Sequence, residues 1–101
     1  MIFAALIEAA DAGELVLESG GMCRYHRRRD GVVVIREIIV LPYLRRHGIG
    51  RRMVATVRAR NPGAALRARC PEAYPSNGFW ERLGFARAGQ VNGVNVWEFR
   101  T

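Results

Sequence analysis

The sequence contains no lysine; all 16 of its basic side chains apart from histidine are arginine. A lysine-dependent phosphate loop, G-x-x-x-x-G-K-[ST], is therefore excluded. Cysteine is scarce. Cys23 and Cys70 stand far apart, which gives neither a metal-ligand spacing nor a disulfide framework. We expect buried or free thiols in a reducing compartment, and no metal site. No apolar run approaches the ~20 residues that a membrane-spanning helix needs. The opening "MIFAALIEAADAGE" lacks a basic stretch and meets acids at Glu8 and Asp11, unlike a secretory leader. These absences predict a soluble, cytoplasmic protein. Repeats, low-complexity tracts and long linkers are also missing, and 101 residues fit one small domain, 1–101.

What is present is ordinary globular composition, half apolar and a quarter charged, with a net charge of +7. Arginine makes planar, bidentate contacts with phosphates and carboxylates. The balance thus favours an acidic partner, although solvated surface arginines account for the charge equally well.

"IFAALIEAA" places Ile2, Leu6 and Ala9–Ala10 on one helical face, and Gly13 stops it. "ELVLES" and "MCRYHRRR" read as strands around the glycines at 20 and 21. Asp30–Gly31 is a hairpin signal. "VVVIREIIV", residues 32–40, is β-branched nearly throughout, which predicts a central, well-buried strand. Pro42 ends it. A helix follows from Gly48–Gly50, with Ile49, Met53, Val54 and Val57 inward and Arg51, Arg52 and Arg58 outward; "NPG" at 61–63 terminates it. "AALRARC" is a strand. "SNGFWERLGF" is a short helix with Ser76 or Asn77 as cap and Gly84 as stop. "ARAGQV" and "VNVWEFR" close a hairpin around Asn92–Gly93. The order predicts an α/β fold with a mixed parallel and antiparallel sheet, built on a β-α-β crossover from about residue 32 to 70.

"LPYLRRHGIGRRMV", residues 41–54, carries the chemistry. The first turn of a helix leaves N–H groups unpaired and carries about half a positive charge, so it favours an anion. Glycines let a ligand approach the backbone, and Arg45, Arg46 and Arg51 add charge. The dinucleotide fingerprint fails, because its third glycine would fall at Met53. On spacing alone, a phosphate cradle and a tight turn with solvated arginines both fit.

Two segments together resemble the GNAT superfamily of N-acetyltransferases. "IIVLPYLRRHGIGRRMV" is similar to its motif A, a strand followed by [RQ]-x-x-G-x-[GA] and a helix. "NGFWERLGF" is similar to its second signature, with Asn77, Phe79, Glu81, Leu83, Gly84 and Phe85 in place. The resemblance spans about residues 14–101 and implies a GNAT-like fold. It implies acetyl-coenzyme A, with its pyrophosphate on the loop Arg45, Arg46, His47, Gly48, Ile49, Gly50 and Arg51. The pantetheine arm would pair with the backbone of Ile38, Ile39 and Val40 where two parallel strands splay, and the Val40 N–H would polarise the thioester carbonyl. Asn77 and Trp80 complete the implied cofactor contacts. An amine acceptor, on a small molecule or a protein, would attack directly.

The chain departs from the family's pattern at two places. Trp80 stands where many members have a tyrosine acid, and an indole N–H is far too weak an acid. Tyr74 or Cys70 are the neighbouring candidates, with water as the alternative proton source. The family's opening strand and two helices are reduced here to one helix-like piece. The short sheet exposes an edge that favours dimerisation. Glu37, a carboxylate within an apolar strand, is a candidate general base; pairing with an arginine is its other reading. His26 reads as a surface residue, and His47 as a loop residue beside phosphate or solvent. Two further functions fit the residues: a catalytically weak module that binds coenzyme A, and a small basic nucleic-acid-binding protein using residues 23–29 and 45–52.

Overall fold

The computed structural model describes residues 2–100. Its elements run α1 (Ile2–Asp11), β1 (Leu15–Glu18), β2 (Gly21–Arg27), β3 (Val33–Val40), a 3₁₀ turn (Pro42–Leu44), α2 (Ile49–Arg60), β4 (Leu66–Pro71), α3 (Asn77–Arg82), β5 (Ala86–Val91) and β6 (Val94–Phe99). The strands form one six-stranded sheet in the order β1-β2-β3-β4-β6-β5. Every neighbouring pair is antiparallel except β3 and β4, which flank α2 as the expected parallel crossover.

The turns follow from their residues. Asn92 and Gly93 both have positive φ, 51° and 76°, as a two-residue hairpin turn matching the sheet's twist requires. Gly84 ends α3 at φ 91°. Ser76 and Asn77 behave differently from the expected caps. Ser76 occupies the N-cap position without a side-chain capping bond, and its hydroxyl lies 3.1 Å from Cys70 Sγ instead.

The apolar stripe of α2 is fully used: Ile49, Met53, Val54 and Val57 are buried against Val16, Cys23, Tyr25, Val33, Ile35 and Leu66. Burying each such side chain stabilises the fold by roughly 1.5–3 kcal/mol. Phe79, Trp80 and Phe85 extend this core under α3, ring edge to ring face at 4.9 and 5.0 Å. Trp97 is 6% exposed, the inward member of the alternating closing strand.

The strand β3 is central, but it is not buried along its length. Only Val33 and Ile35 are buried, while Ile39 is half exposed. The reason is that β3 has two neighbours only over its first part. Its pairing with β4 runs Val33↔Leu66, Val34↔Arg67 and Ile35↔Ala68 and then stops, whereas its pairing with β2 continues to Val40.

Candidate cofactor cleft

The parting of β3 from β4 leaves a gap bordered by residues 36–40. A bulge re-aims the strand there. Arg24 pairs with Glu37 and Tyr25 with Ile35, which leaves Arg36 as the extra residue. Before the bulge, Val33 N–H points toward β4, bonding Ala65 O at 2.9 Å; after it, Leu41 N–H points the other way, to Gly20 O at 2.9 Å. Backbone groups alternate along a strand. The N–H and C=O of Ile38 and Val40 therefore face the gap, and those of Ile39 face β2. Among the three backbone contacts implied by resemblance, Ile39 drops out for this reason: its polar groups serve the ladder through the Met22↔Ile39 pair. Val40 O accepts a 3.2 Å bond from Arg45 Nε, which draws that guanidinium across the gap's end.

The loop that follows leaves a run of backbone N–H groups without acceptors. Among the described residues, no backbone or side-chain acceptor takes the N–H of Arg46, His47, Gly48, Ile49, Gly50 or Arg51; the ladder resumes with Arg52 N–H on Gly48 O at 3.0 Å. Arg46 (φ 67°) and Gly48 (φ 81°) both lie in the left-handed region, which folds successive N–H groups into a concave nest. Strain of order 1 kcal/mol at the non-glycine Arg46 is characteristic of ligand clamps. His47 and Arg51 are exposed, and Ile49 contributes backbone only, since its side chain is buried. Arg52 fixes the loop: its Nε donates to Glu18 at 3.1 Å and its Nη1 to His47 O at 3.3 Å. The sequence places Arg52 only on the polar face of α2, because its partner Glu18 is distant along the chain. The donor set, free N–H groups with Arg46 and Arg51 beside a slot of strand-like backbone, fits a diphosphate on an extended amide-bearing arm.

The two glycines of the loop differ in purpose. Gly48 is required by its backbone angle. Gly50 is required by packing, because a Cβ there would lie 3.0 Å from Phe79 Cε1.

Asn77, implied as a cofactor contact, spends its side chain inside the protein. Its Nδ2 reaches Tyr74 O (2.7 Å), Pro71 O (2.9 Å) and Glu72 O (3.2 Å), and its Oδ1 accepts from Trp97 Nε1 (2.8 Å) and Asn95 Nδ2 (3.0 Å). It ties the β4–α3 loop to β6. Trp80 is likewise a core residue, 4% exposed between Phe79 and Phe85. Cys70 is buried. Tyr74 is 58% exposed in the loop after β4, which leaves the sheet at the same end as the open half of β3. Glu37 is ion-paired, with Oε1 accepting from Arg24 Nη2 at 2.7 Å.

The segment 23–29 has little left for a nucleic acid. Arg24, Arg27 and Arg28 each have partners within the chain, and Tyr25 is 1% exposed with its hydroxyl on Gly13 O. No exposed tyrosine face remains there for base stacking. His26 is exposed beside Glu14, at 3.4 Å. Among the described residues, no cluster of acidic, cysteine or histidine side chains suits a metal ion, and no helix is long and apolar enough to cross a membrane.

Comparison with known proteins identifies the family and the fold. Residues 3–87 match the family model of the GNAT acetyltransferase domain. A GNAT-family protein from Desulfovibrio desulfuricans superposes with a TM-score of 0.75 at 18% identity, covering 96% of this chain and 75% of its own. The Bacillus subtilis N-acetyltransferase YlbP, in complex with coenzyme A, gives 0.67 at 14% identity, covering 80% and 60%. The anti-CRISPR protein AcrVA5 gives 0.66 at 24% identity and is comparably short, with 84% of this chain covering 95% of it. No curated protein matches the sequence.

Proposed function

Because the chain belongs to the GNAT acetyltransferase family, we propose that it transfers an acetyl group from acetyl-coenzyme A to an amine by direct attack. The observation that carries this reading is the run of free N–H groups from Arg46 to Arg51 beside the gap. These amides, with the Arg46 and Arg51 side chains, would hold the pyrophosphate. The N–H and C=O of Ile38 and the C=O of Val40 would accept the pantetheine arm as an added strand. When bound, acetyl-coenzyme A supplies an acetyl group activated as a thioester.

The chain's own groups are assigned as follows. The Val40 N–H, facing the gap, donates toward developing negative charge on an acyl oxygen. Glu37, one residue beyond the bulge, takes the proton from the acceptor's ammonium, directly or through water. Tyr74, exposed in the loop at the same end of the sheet, would return a proton to the departing thiolate; Trp80 and Cys70 are buried. The edge strands β1 and β5 leave room for a second copy of the chain, and the sequence suits the cytoplasm.

Thermal melting with coenzyme A and acetyl-coenzyme A tests the binding step, because a ligand specific for the folded state raises Tm. Release of free coenzyme A with an amine panel tests the transfer. Absence of any shift with either form would overturn the proposal. Glu37→Gln and Tyr74→Phe should each lower kcat and remove one limb of its pH profile; unchanged profiles would remove those two assignments.

A further inference from the structure

Arg36 and Arg69 carry charge that the fold does not use. Ile35↔Ala68 is the last β3–β4 pair, so Arg36 and Arg69 are the next residue on each strand, at the point where the strands part. Both are exposed. Among the described residues, neither has a hydrogen-bond or ion-pair partner. The carboxylates nearest to them along the strands are already matched: Glu37 with Arg24 at 2.7 Å, and Glu98 with Arg67 at 2.7 Å and Arg100 at 2.5 Å.

The face on which they sit decides what they meet. Leu66, Ala68 and Cys70 of β4 are buried under the helices, so Arg67 and Arg69 point to the opposite face. The bulge puts Arg36 and Glu37 on that same face, with Arg24 across from them. Helices α2 and α3 cover the first face, where Gly50 meets Phe79. Helix α1 packs against β1 and β2. The far face of β3, β4 and β6 is therefore open beside the gap. A cofactor arm filling the gap, with its diphosphate at the start of α2, leaves an acceptor only this open face from which to reach the thioester.

We infer that Arg36 and Arg69 select an acceptor amine that carries a carboxylate or phosphate close to its nitrogen. Two guanidiniums on the same face of neighbouring strands, neither with a counter-ion among the described residues, attract such a group, which each can bind in bidentate fashion. They disfavour cationic acceptors, polyamines and arginine- or lysine-rich peptides among them. The inference rests on the acetyl-transfer reading, and it names the substrate class for that same cleft.

The test uses the full chain loaded with coenzyme A and matched acceptors: glutamate against glutamine, aspartate against asparagine, phosphoethanolamine against ethanolamine, an acidic N-terminal peptide against its amidated form, and spermidine. Binding is measured by titration calorimetry, and turnover with acetyl-coenzyme A runs in parallel. The anionic member of at least one pair should bind or react about tenfold better than its neutral partner, a margin typical of one charge-assisted contact, and the margin should shrink with salt. The amino acid, phosphate and peptide arms distinguish the source of the anion. Arg36→Gln and Arg69→Gln should each abolish the preference by raising KM, while the coenzyme A-induced rise in Tm is retained. Equal treatment of charged and neutral members, no binding of any anionic amine, or a preference that survives both substitutions would overturn the inference. Loss of coenzyme A binding by the unsubstituted chain would instead overturn the reading beneath it.

Discussion

The Cβ that Gly50 lacks would lie 3.0 Å from Cε1 and 3.1 Å from Cζ of Phe79. The second glycine of the loop before α2 and the aromatic residue of the downstream signature are thus one packing unit. Phe79 cannot retreat easily, because its ring abuts Trp80 at 4.9 Å. Gly50→Ala should therefore destabilise by about 1 kcal/mol, the overpacking cost of ~1–3 kcal/mol less the helix-propensity gain of ~1 kcal/mol. Phe79→Leu in the same chain should relieve part of this. Denaturant melts of both single variants and the double variant give the coupling; strictly additive costs would show that the two residues do not meet.

Asn77 joins three loop carbonyls on one side to Trp97 and Asn95 on the other. Removing it leaves buried partners unsatisfied. Asn77→Ala should cost about 2–4 kcal/mol, more than one ordinary hydrogen bond. A shift in urea midpoint equivalent to less than about 1 kcal/mol would contradict the hub.

Gly48 (φ 81°) and Arg46 (φ 67°) share a left-handed backbone but differ in side chain. Gly48→Ala should destabilise the ligand-free protein by about 1 kcal/mol. Arg46→Gly should be neutral within about 0.5 kcal/mol, since relief of strain offsets added freedom in the unfolded chain. Both should weaken coenzyme A binding, the first through the nest and the second through lost charge. Equal melting temperatures for the two variants would argue that the loop does not hold these angles.

Glu98 has its carboxyl pKa held below the ordinary 4.5, chiefly by the hydrogen bond from Arg67, aided by Arg100 and opposed by burial. A depressed folded-state value means stability that is fully present above pH 4.5 and lost as pH falls through the folded value. Glu98→Gln should therefore lower stability at pH 7 and narrow its deficit in acid. Melts of both proteins from pH 7 down to about pH 3 check this; a deficit that does not change with pH would contradict it.

Burial pushes the Cys23 thiol up to about 12, and Cys70 is 3% exposed with Ser76 beside it at 3.1 Å. Thiolate is the reactive form. Neither cysteine should react with a disulfide reagent at pH 8 in the native protein, and both should react in denaturant. Fast native labelling at Cys70 would show that the end of β4 opens.

Much of this protein was legible along the chain because the deciding interactions are local. Periodicity set α2 and its buried stripe. Asn92–Gly93 and Gly84 set their turns through positive φ. Pro42 and the glycines marked the loop that ends a strand and starts a helix. The structure departs from the local signals where a residue's surroundings come from distant segments. "VVVIREIIV" promised a buried strand, yet Ile39 is half exposed because β4 turns away after Ala68. Trp80 and Asn77 were implied as cofactor contacts by their place in a motif; the side chains of one fill the core and of the other tie a loop to β6.

The sequence by itself determined which elements form, where the glycine loop between β3 and α2 lies and which family the chain resembles, since these depend on backbone preferences and short-range spacing. Only the tertiary structure decided which amides face the gap, that Gly50 is a packing glycine, that the arginines of 23–29 are mostly engaged, and that Arg36 and Arg69 share a sheet face with no ion-pair partner among the described residues. These depend on strand register, on one bulge at Arg36, and on which face of the sheet the helices cover. None of these is encoded in a single window, because each is set by contacts between segments that meet only on folding.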